Sequence, residues 1–274
     1  MQTLTDQVAV VTGGASGIGL ALARAFAAEG CRVVIADIED AALKEALTLL
    51  PKDTLAVRTD VSKVADVEAL AAATLERFGQ VDIVCNNAGI STFNTIENQT
   101  LEDWRWVLDV DLWGVIYGVH TFLPILQRQG TPGHIVNTSS VAGLLSGVPY
   151  IAPYAVAKVG VVSISETLRA ELAMAGSQVG VSVLCPSGTN TSVMEAERNR
   201  PPEAGIEQRT PDAEQMRLMI RSGFTGPDGK EPDEVASMVV DAIKHDRFWV
   251  ISHNDLKSMI EGRFEEIRGA IPQS

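Results

Sequence analysis

Cysteine and histidine are scarce, with three and four copies in 274 residues. Cys31, Cys85 and Cys185 each fall inside an apolar, strand-like run. They read as small core residues of a reducing compartment, not as a disulfide framework. The cytoplasm is therefore the expected location. The histidines are scattered without the spacing of a ligand set, so no metal is expected, and His245 and His253 read as surface residues. Basic residues are outnumbered, 22 against 35 acidic, and the net charge of −13 argues against nucleic acid and anionic membranes as partners. No apolar stretch reaches the ~18 residues of a membrane span. The first residues carry neither the basic n-region nor the apolar h-region of a secretory signal. Before about residue 187 there is no linker, repeat or low-complexity tract.

With 46% hydrophobic residues the chain can bury a large core. Short apolar runs rich in β-branched residues recur near 8–11, 31–36, 55–59, 81–86, 134–138, 179–185 and 248–251. Helical patterns separate them. This alternation predicts an α/β fold, a single Rossmann-type doubly wound, mostly parallel seven-stranded sheet with helices on both faces. One domain over 1–274 is expected. Between 187 and 232 periodicity fades and Pro, Gly and charged residues take over. Long irregular stretches inside compact domains are commonly functional, so 187–232 is expected to be a substrate lid with one or two short helices, near Met194 and near 216–220. The segment 252–274 reads as a charged helical tail or subunit contact.

The chemistry begins at the first run. Thr12-Gly13-Gly14-Ala15-Ser16-Gly17-Ile18-Gly19 follows it directly, a helical pattern opens at Leu20, and a second strand ends beside Asp37. Strand, glycine turn, helix, strand and acid form a dinucleotide-binding arrangement. The glycines admit a pyrophosphate to the helix N-terminus, and the acid can accept from both ribose hydroxyls. Asp37 would repel a 2′-phosphate, and Ile38 offers no cation to attract one, so NAD is expected over NADP. A plain glycine turn followed by a surface acid is the alternative reading.

Tyr154 and Lys158 lie four residues apart in a helical pattern and therefore share a face. A phenol ionises near pH ~10, and an adjacent ammonium favours its ionised form. Such a tyrosine could exchange protons with a substrate near neutrality.

Together these residues resemble the classical short-chain dehydrogenase/reductase family from about Asp6 to Thr191. The resemblance rests on the 12–19 loop, Asp60-Val61, Asn86-Asn87-Ala88-Gly89, Ser139-Ser140-Val141-Ala142-Gly143, Tyr154-x-x-x-Lys158 and the stretch from Pro186 to Thr191, all in order. It implies that Tyr154 is the general acid/base and that Lys158 lowers its pKa and holds the nicotinamide ribose. It further implies that Ser140 binds the substrate oxygen, with Ser139 as runner-up. Gly13, Ser16, Gly17, Ile18 and Gly19 would cradle the pyrophosphate. Asp37 and Ile38 would meet the ribose, Asp60 and Val61 the adenine, and Asn87, Ala88 and Gly89 the cleft floor. Pro186, Gly188, Thr189 and Thr191 would meet the nicotinamide half. Sheet-stabilising roles for Asn87 and capping roles for the serines remain open. The implied partners are a small-molecule alcohol or ketone and further copies of the chain, as a homodimer or homotetramer.

Two positions depart from the family pattern. Asp111 stands where Asn is usual. The apolar stripe Leu101, Trp104, Leu108, Val115 places it on a buried face, with Lys158 as its expected partner in a proton relay. Ser187 replaces a glycine, which predicts either a narrowed pocket or an altered backbone angle.

The substrate pocket is expected to be closed by 90–94, 144–151 and the lid. Leu144, Leu145, Val148, Tyr150, Ile151 and Met194 would make it apolar and suit a lipophilic secondary alcohol. The Gly-His-Ile-Val run, the Pro-Tyr before the lysine and the Glu-Arg-Asn-Arg-Pro run are similar to bacterial dehydrogenases of benzylic alcohols in lignin-derived aryl ethers. An NAD(P)H-dependent carbonyl reductase and a non-catalytic NAD-binding regulator are the rival expectations.

Overall fold

The computed structural model describes residues 1–272 apart from 146, 207, 228 and 255. The expectations for the 144–151 wall, the lid and the tail therefore lie outside the described residues at those positions and at 273–274. Seven strands, β1 (Val8–Thr12), β2 (Arg32–Asp37), β3 (Leu55–Arg58), β4 (Ile83–Asn86), β5 (Gly133–Thr138), β6 (Val179–Cys185) and β7 (Trp249–Ile251), form one parallel sheet in the order 3-2-1-4-5-6-7. This is the doubly wound α/β fold expected from the alternating pattern.

The alternation along β1 shows why the sheet is two-faced. Ala9 and Val11 point to one side with Leu22 and Phe26 of α1 (Gly17–Ala28), Leu43 of α2 (Asp40–Ala46) and Val239 of α9 (Pro232–Lys244). Val8 and Val10 point to the other, with Leu70 of α3 (Val64–Phe78), Phe122 of α5 (Gly114–Gln129) and Leu168 of α7 (Ala152–Met174). Consecutive strand residues face opposite sides, so a central parallel strand must be apolar throughout. The strand order reverses between β1 and β4, and the loops leaving the carboxyl ends of these strands diverge to open a crevice.

Helix α4 (Leu101–Leu108) runs into a π-helical turn, Asp109–Trp113, before α5 resumes. The wider turn shifts the helical phase. Already before that turn Leu101 is exposed and Trp104 and Leu108 are only half-buried, while Asp103, Trp106, Val107 and Asp111 face inward, as does Val115 beyond it. The stripe predicted from regular spacing is therefore wrong, although its conclusion that Asp111 is buried stands.

The 187–232 segment holds more regular structure than its composition suggested. It contains 3-10 turns at Ser192–Asn199 and Pro202–Ala204, and a 14-residue helix, α8 (Pro211–Phe224). Thr210 accepts from Ala213 N–H as the cap of α8, and Pro follows at the first helical position. Helices α6 (Val141–Leu145) and α10 (Lys257–Gly269) complete the elements. Among the described residues no helix is long and apolar enough to cross a membrane, and no cluster of side chains could hold a metal.

Candidate active site

A cavity of about 1070 Å³ opens at the carboxyl ends of β1 to β6. Every residue assigned above to the cofactor faces it, as do Ser140, Tyr154 and Lys158. Asp111 does not; it stands behind the wall.

At one end lies the glycine loop. Gly13 and Gly17 hold positive φ angles of 62° and 50°. A Cβ on Gly13 would come within 2.9 Å of Ala88 Cα, and one on Gly19 within 1.9 Å of Gly13 O, so only glycine fits. Helix α1 starts there with no side-chain cap and no acid in its first turn. Its first N–H groups have no partner within the helix and remain available, with the positive end of the dipole, to an anionic group. These residues fit a dinucleotide pyrophosphate. Thr191 packs on this loop, 3.1 Å from where a Gly17 Cβ would stand.

Asp37 closes the adenosine end. Its carboxylate accepts from Ala15 N–H and Glu39 N–H, both at 3.2 Å. Burial pushes its pKa up against the pull of these backbone donors. Asp60 accepts from Ser62 N–H at 3.1 Å and Ser62 Oγ–H at 2.6 Å, and pairs with Lys63 at 3.1 Å. Its carboxylate thus holds the turn before α3, leaving the surface beside Val61 to meet a base. Asn87 donates to Thr12 O at 3.0 Å and accepts from Thr138 Oγ1 at 3.3 Å. Its amide ties the β1, β4 and β5 loops together, the sheet-stabilising role left open above, while its edge still faces the cavity.

The other end carries the titratable pair Tyr154 and Lys158. Tyr154 and Lys158 lie on one face of α7, the ammonium 5.3 Å from the ring centre. Lys158 Nζ is 2% exposed as a residue, donates to Thr138 O at 3.1 Å and stands 3.0 Å from Asp111 Oδ2. Asp111, with no exposure, also accepts from Ile90 N–H at 2.8 Å. Gly89 makes room for this pair, since a Cβ there would lie 3.2 Å from Asp111 Oδ2 and 3.3 Å from Lys158 Nζ.

The electrostatics depart from the simple expectation. Burial raises the Tyr154 pKa above its ordinary value; Lys158 and a hydrogen bond with Ser140 lower it, and Asp111 raises it. The ammonium alone therefore does not produce a phenolate. Burial would lower the Lys158 pKa, but Asp111 holds the ammonium above its ordinary value. Burial also raises Asp111, opposed by Lys158.

Both serines line the cavity. Ser139 Oγ donates to Lys158 O at 2.7 Å and is consumed there. Ser140 faces the cavity and hydrogen-bonds Tyr154. Ser187 faces the cavity too, but its φ is not positive, so its side chain imposes no backbone strain and the expected altered angle is not found.

Tyr154 stands where two apolar clusters meet. Phe93, Ile151, Met194 and Phe224 lie on one side, and Ile90, Trp106 and Ala196 on the other. Val148, Ile151 and Met194 line the cavity as expected, whereas Leu144, Leu145 and Tyr150 do not. Leu144 packs instead beneath the sheet, and Tyr150 adopts a φ of 69° with its carbonyl accepting from Asn94 N–H. Trp106 and Phe224 were not anticipated. Nor was Arg200, which lies over Trp106 at 5.2 Å and pairs with buried Asp103 at 2.5 Å.

Comparison with known proteins follows this geometry. Residues 7–202 match the family profile described as short chain dehydrogenase. The chain is 32% identical over 271 residues to the C alpha-dehydrogenase of Sphingobium sp., covering 97% of this chain and 87% of that protein. It is 32% identical over 269 residues to the 1-deoxy-11-beta-hydroxypentalenate dehydrogenase of Streptomyces exfoliatus, covering 96% and 89%. A crystal structure of a short chain dehydrogenase/reductase from Burkholderia phymatum in complex with NAD superimposes with a TM-score of 0.94 at 38% identity, covering all of both chains.

Proposed function

The chain belongs to the short-chain dehydrogenase family, and we propose on that premise that it is an NAD-dependent oxidoreductase interconverting a lipophilic secondary alcohol and its ketone. The observation that carries this reading is the placement of Tyr154. Its hydroxyl meets Ser140, its ring lies beside the Lys158 ammonium, and it sits between two apolar walls in the cavity that also contains the glycine loop.

Bound NAD would supply the hydride acceptor and, when oxidised, a positive ring beside the phenol. The chain would hold it through the 13–19 loop, Asp37 and Ile38, Asp60 and Val61, the 87–89 floor, Lys158, and Pro186, Gly188, Thr189 and Thr191. Tyr154, as the phenolate, would take the alcohol proton during oxidation and, as the phenol, return it to the ketone oxygen during reduction. Ser140 donates a hydrogen bond to the substrate oxygen as its charge develops. Lys158 keeps positive charge near the phenol, and Asp111 fixes Lys158. The upward pull of burial on Tyr154 favours the protonated phenol, which suits the reverse direction, ketone reduction; carbonyl reduction is the second reading.

Asp37 and Glu39 place two acids at the adenosine end, and the nearby cations Lys63 and Arg198 are each paired with an acid. This supports NAD, as does the NAD-bound relative. The aromatic and aliphatic walls support a lipophilic substrate, and the resemblance to dehydrogenases of benzylic alcohols makes aromatic alcohols the first class to test. The segment 187–232 is proposed as the lid. Exposed Trp113, Val156 and Val159 support a homodimer or homotetramer, and three free buried cysteines support a cytoplasmic location.

The test is a panel of secondary alcohols and ketones assayed for NADH formation and consumption, with Tyr154→Phe as control. Turnover falling about 10²- to 10⁴-fold in Tyr154→Phe, with NADH still bound, is expected. Full turnover in that variant would overturn the reading; tight NADH binding without turnover of any panel member would point to a regulator.

A further inference from the structure

The 3-10 turn Ser192–Asn199 has two working edges. On one, Met194 and Ala196 are buried, Met194 among Phe93, Ala142 and Ile151, and Ala196 among Ile90, Trp106 and Val107. Both groups abut Tyr154. On the other edge, Arg198 Nε donates to Glu39 Oε1 at 2.8 Å and Asn199 Nδ2 donates to the same oxygen at 2.7 Å. These contacts bridge 159 and 160 residues of sequence. Arg198 Nη1 donates to the carbonyls of Ser192 at 3.2 Å and Glu195 at 2.8 Å, so the guanidinium also braces its own turn. Glu39 in turn donates its N–H to Asp37 Oδ1 at 3.2 Å. A short chain of contacts thus runs from the acid at the adenosine end to the wall beside Tyr154, and its members Asp37, Glu39, Arg198 and Asn199 all face the cavity.

We propose that Glu39 is a positioning residue that latches the 192–199 turn across the dinucleotide cleft, so that release of the cofactor and order in the substrate wall depend on one contact. This rests on the dinucleotide reading above. Two donors converging on one carboxylate oxygen give the closed position a defined register, because Asn199 and Arg198 must both be in place. The turn bends at Glu195, and the Arg198 bonds to the Ser192 and Glu195 carbonyls link that register to Met194 and Ala196. Opening the latch moves both edges together.

The Glu39 and Arg198 side chains are 29% and 40% exposed. Half-exposed pairs contribute little, so cutting the latch should change an opening equilibrium about two- to fivefold. The contact should also weaken as salt rises.

The experiment is stopped-flow displacement of NADH from the full-length protein and from Glu39→Ala, Glu39→Gln, Asn199→Ala and the Glu39→Ala/Asn199→Ala pair. Release about two- to fivefold faster in Glu39→Ala is expected, with Glu39→Gln intermediate because it retains an acceptor oxygen, and the double variant no faster than Glu39→Ala. Salt should accelerate release from the parent but not from Glu39→Ala. With an alcohol substrate, KM should rise while the single-turnover rate at saturation stays constant. The melting temperature of the cofactor-free variants should match the parent. Unchanged NADH release in Glu39→Ala, or additive effects in the double variant, overturns the latch alone. Failure of the parent to bind NADH overturns both the latch and the dinucleotide reading.

Discussion

Asp111 Oδ2 stands 3.0 Å from Lys158 Nζ, with the two side chains 0% and 3% exposed. A buried ammonium next to a carboxylate keeps its charge but gives up part of its pull on a third group. Here that group is Tyr154, whose pKa Lys158 lowers and Asp111 raises. Replacing Asp111 with Asn removes the negative charge while preserving an acceptor for Ile90 N–H. The Tyr154 pKa then falls, and so does that of Lys158, which Asp111 holds up. Alcohol oxidation needs the phenolate and therefore rises with pH through the Tyr154 pKa. In Asp111→Asn the rising limb of kcat/KM should move to lower pH, by roughly one unit for a nearby charge. Superimposable pH profiles for parent and variant would reject this role.

Asp37 makes the second prediction. Asp37 is half-buried, and in the proposed role its carboxylate would accept from two ribose hydroxyls, charge-assisted bonds of about 1.5–3 kcal/mol each. Asp37→Ser should therefore raise the NADH dissociation constant about tenfold or more. It should not create NADPH binding, because Lys63 stays paired with Asp60 and Arg198 with Glu39. Adding Glu39→Ala releases Arg198 and removes a second acid, so the double variant should gain affinity for NADPH over the single one. Fluorescence titration with both cofactors checks this order.

These two predictions differ in how far the sequence alone leads to them. Asp37 was legible because strand, glycine turn, helix and acid are contiguous, and local spacing dictates their geometry. Tyr154 and Lys158 were legible for the same reason, being one helical turn apart. The depth of Asp111 was reached through a faulty stripe: Leu101, Trp104 and Leu108 were taken as the buried face of α4, whereas the polar Asp103, paired with distant Arg200, lies on that face with Val107 and Asp111. Glu39 with Arg198, and Asp103 with Arg200, are 159 and 97 residues apart and have no local signature. Phe224 enters the pocket only because α8 forms and folds back, a consequence of a cap and an N-terminal proline within a stretch whose composition suggested irregularity. The position of Tyr150, turned away by a left-handed backbone, is likewise a property of the folded loop.

Asp103 and Arg200 give the third prediction. Their side chains are 4% and 5% exposed, and Arg200 also donates to Ala204 O at 2.9 Å and Gly205 O at 2.7 Å. Asp103 closes a capping box with Thr100 at the start of α4. Asp103→Ala removes the acceptor for Thr100 N–H, one half of the capping box, and leaves a buried guanidinium without its countercharge, which should cost about 3–5 kcal/mol. Replacing both partners, as Asp103→Leu with Arg200→Met, should cost less than the single change, since no charge is stranded. Urea unfolding of the three proteins decides it; a double variant weaker than Asp103→Ala would contradict the account.

His134 sets the fourth prediction, on stability against pH. It is 1% exposed, and its Nε2 lies 2.8 Å from Ser182 Oγ. The Ser182 hydroxyl spends its proton on Arg247 O at 2.7 Å, so Nε2 must be the donor to Ser182 Oγ. Burial lowers the His134 pKa from 6.5 to about 4, with Asp246 opposing. The unfolded chain therefore binds a proton in the window from 6.5 down to 4 that the folded chain refuses. Stability contributed by the neutral ring is fully present above the upper value and is lost as pH falls through the window, amounting to about 3 kcal/mol at its foot. His134→Gln keeps a donor for Ser182 but cannot titrate. Its unfolding free energy, measured by urea at several pH values across this window, should fall less steeply with acid than that of the parent. Parallel slopes would mean that His134 is charged in the folded protein or exposed to water.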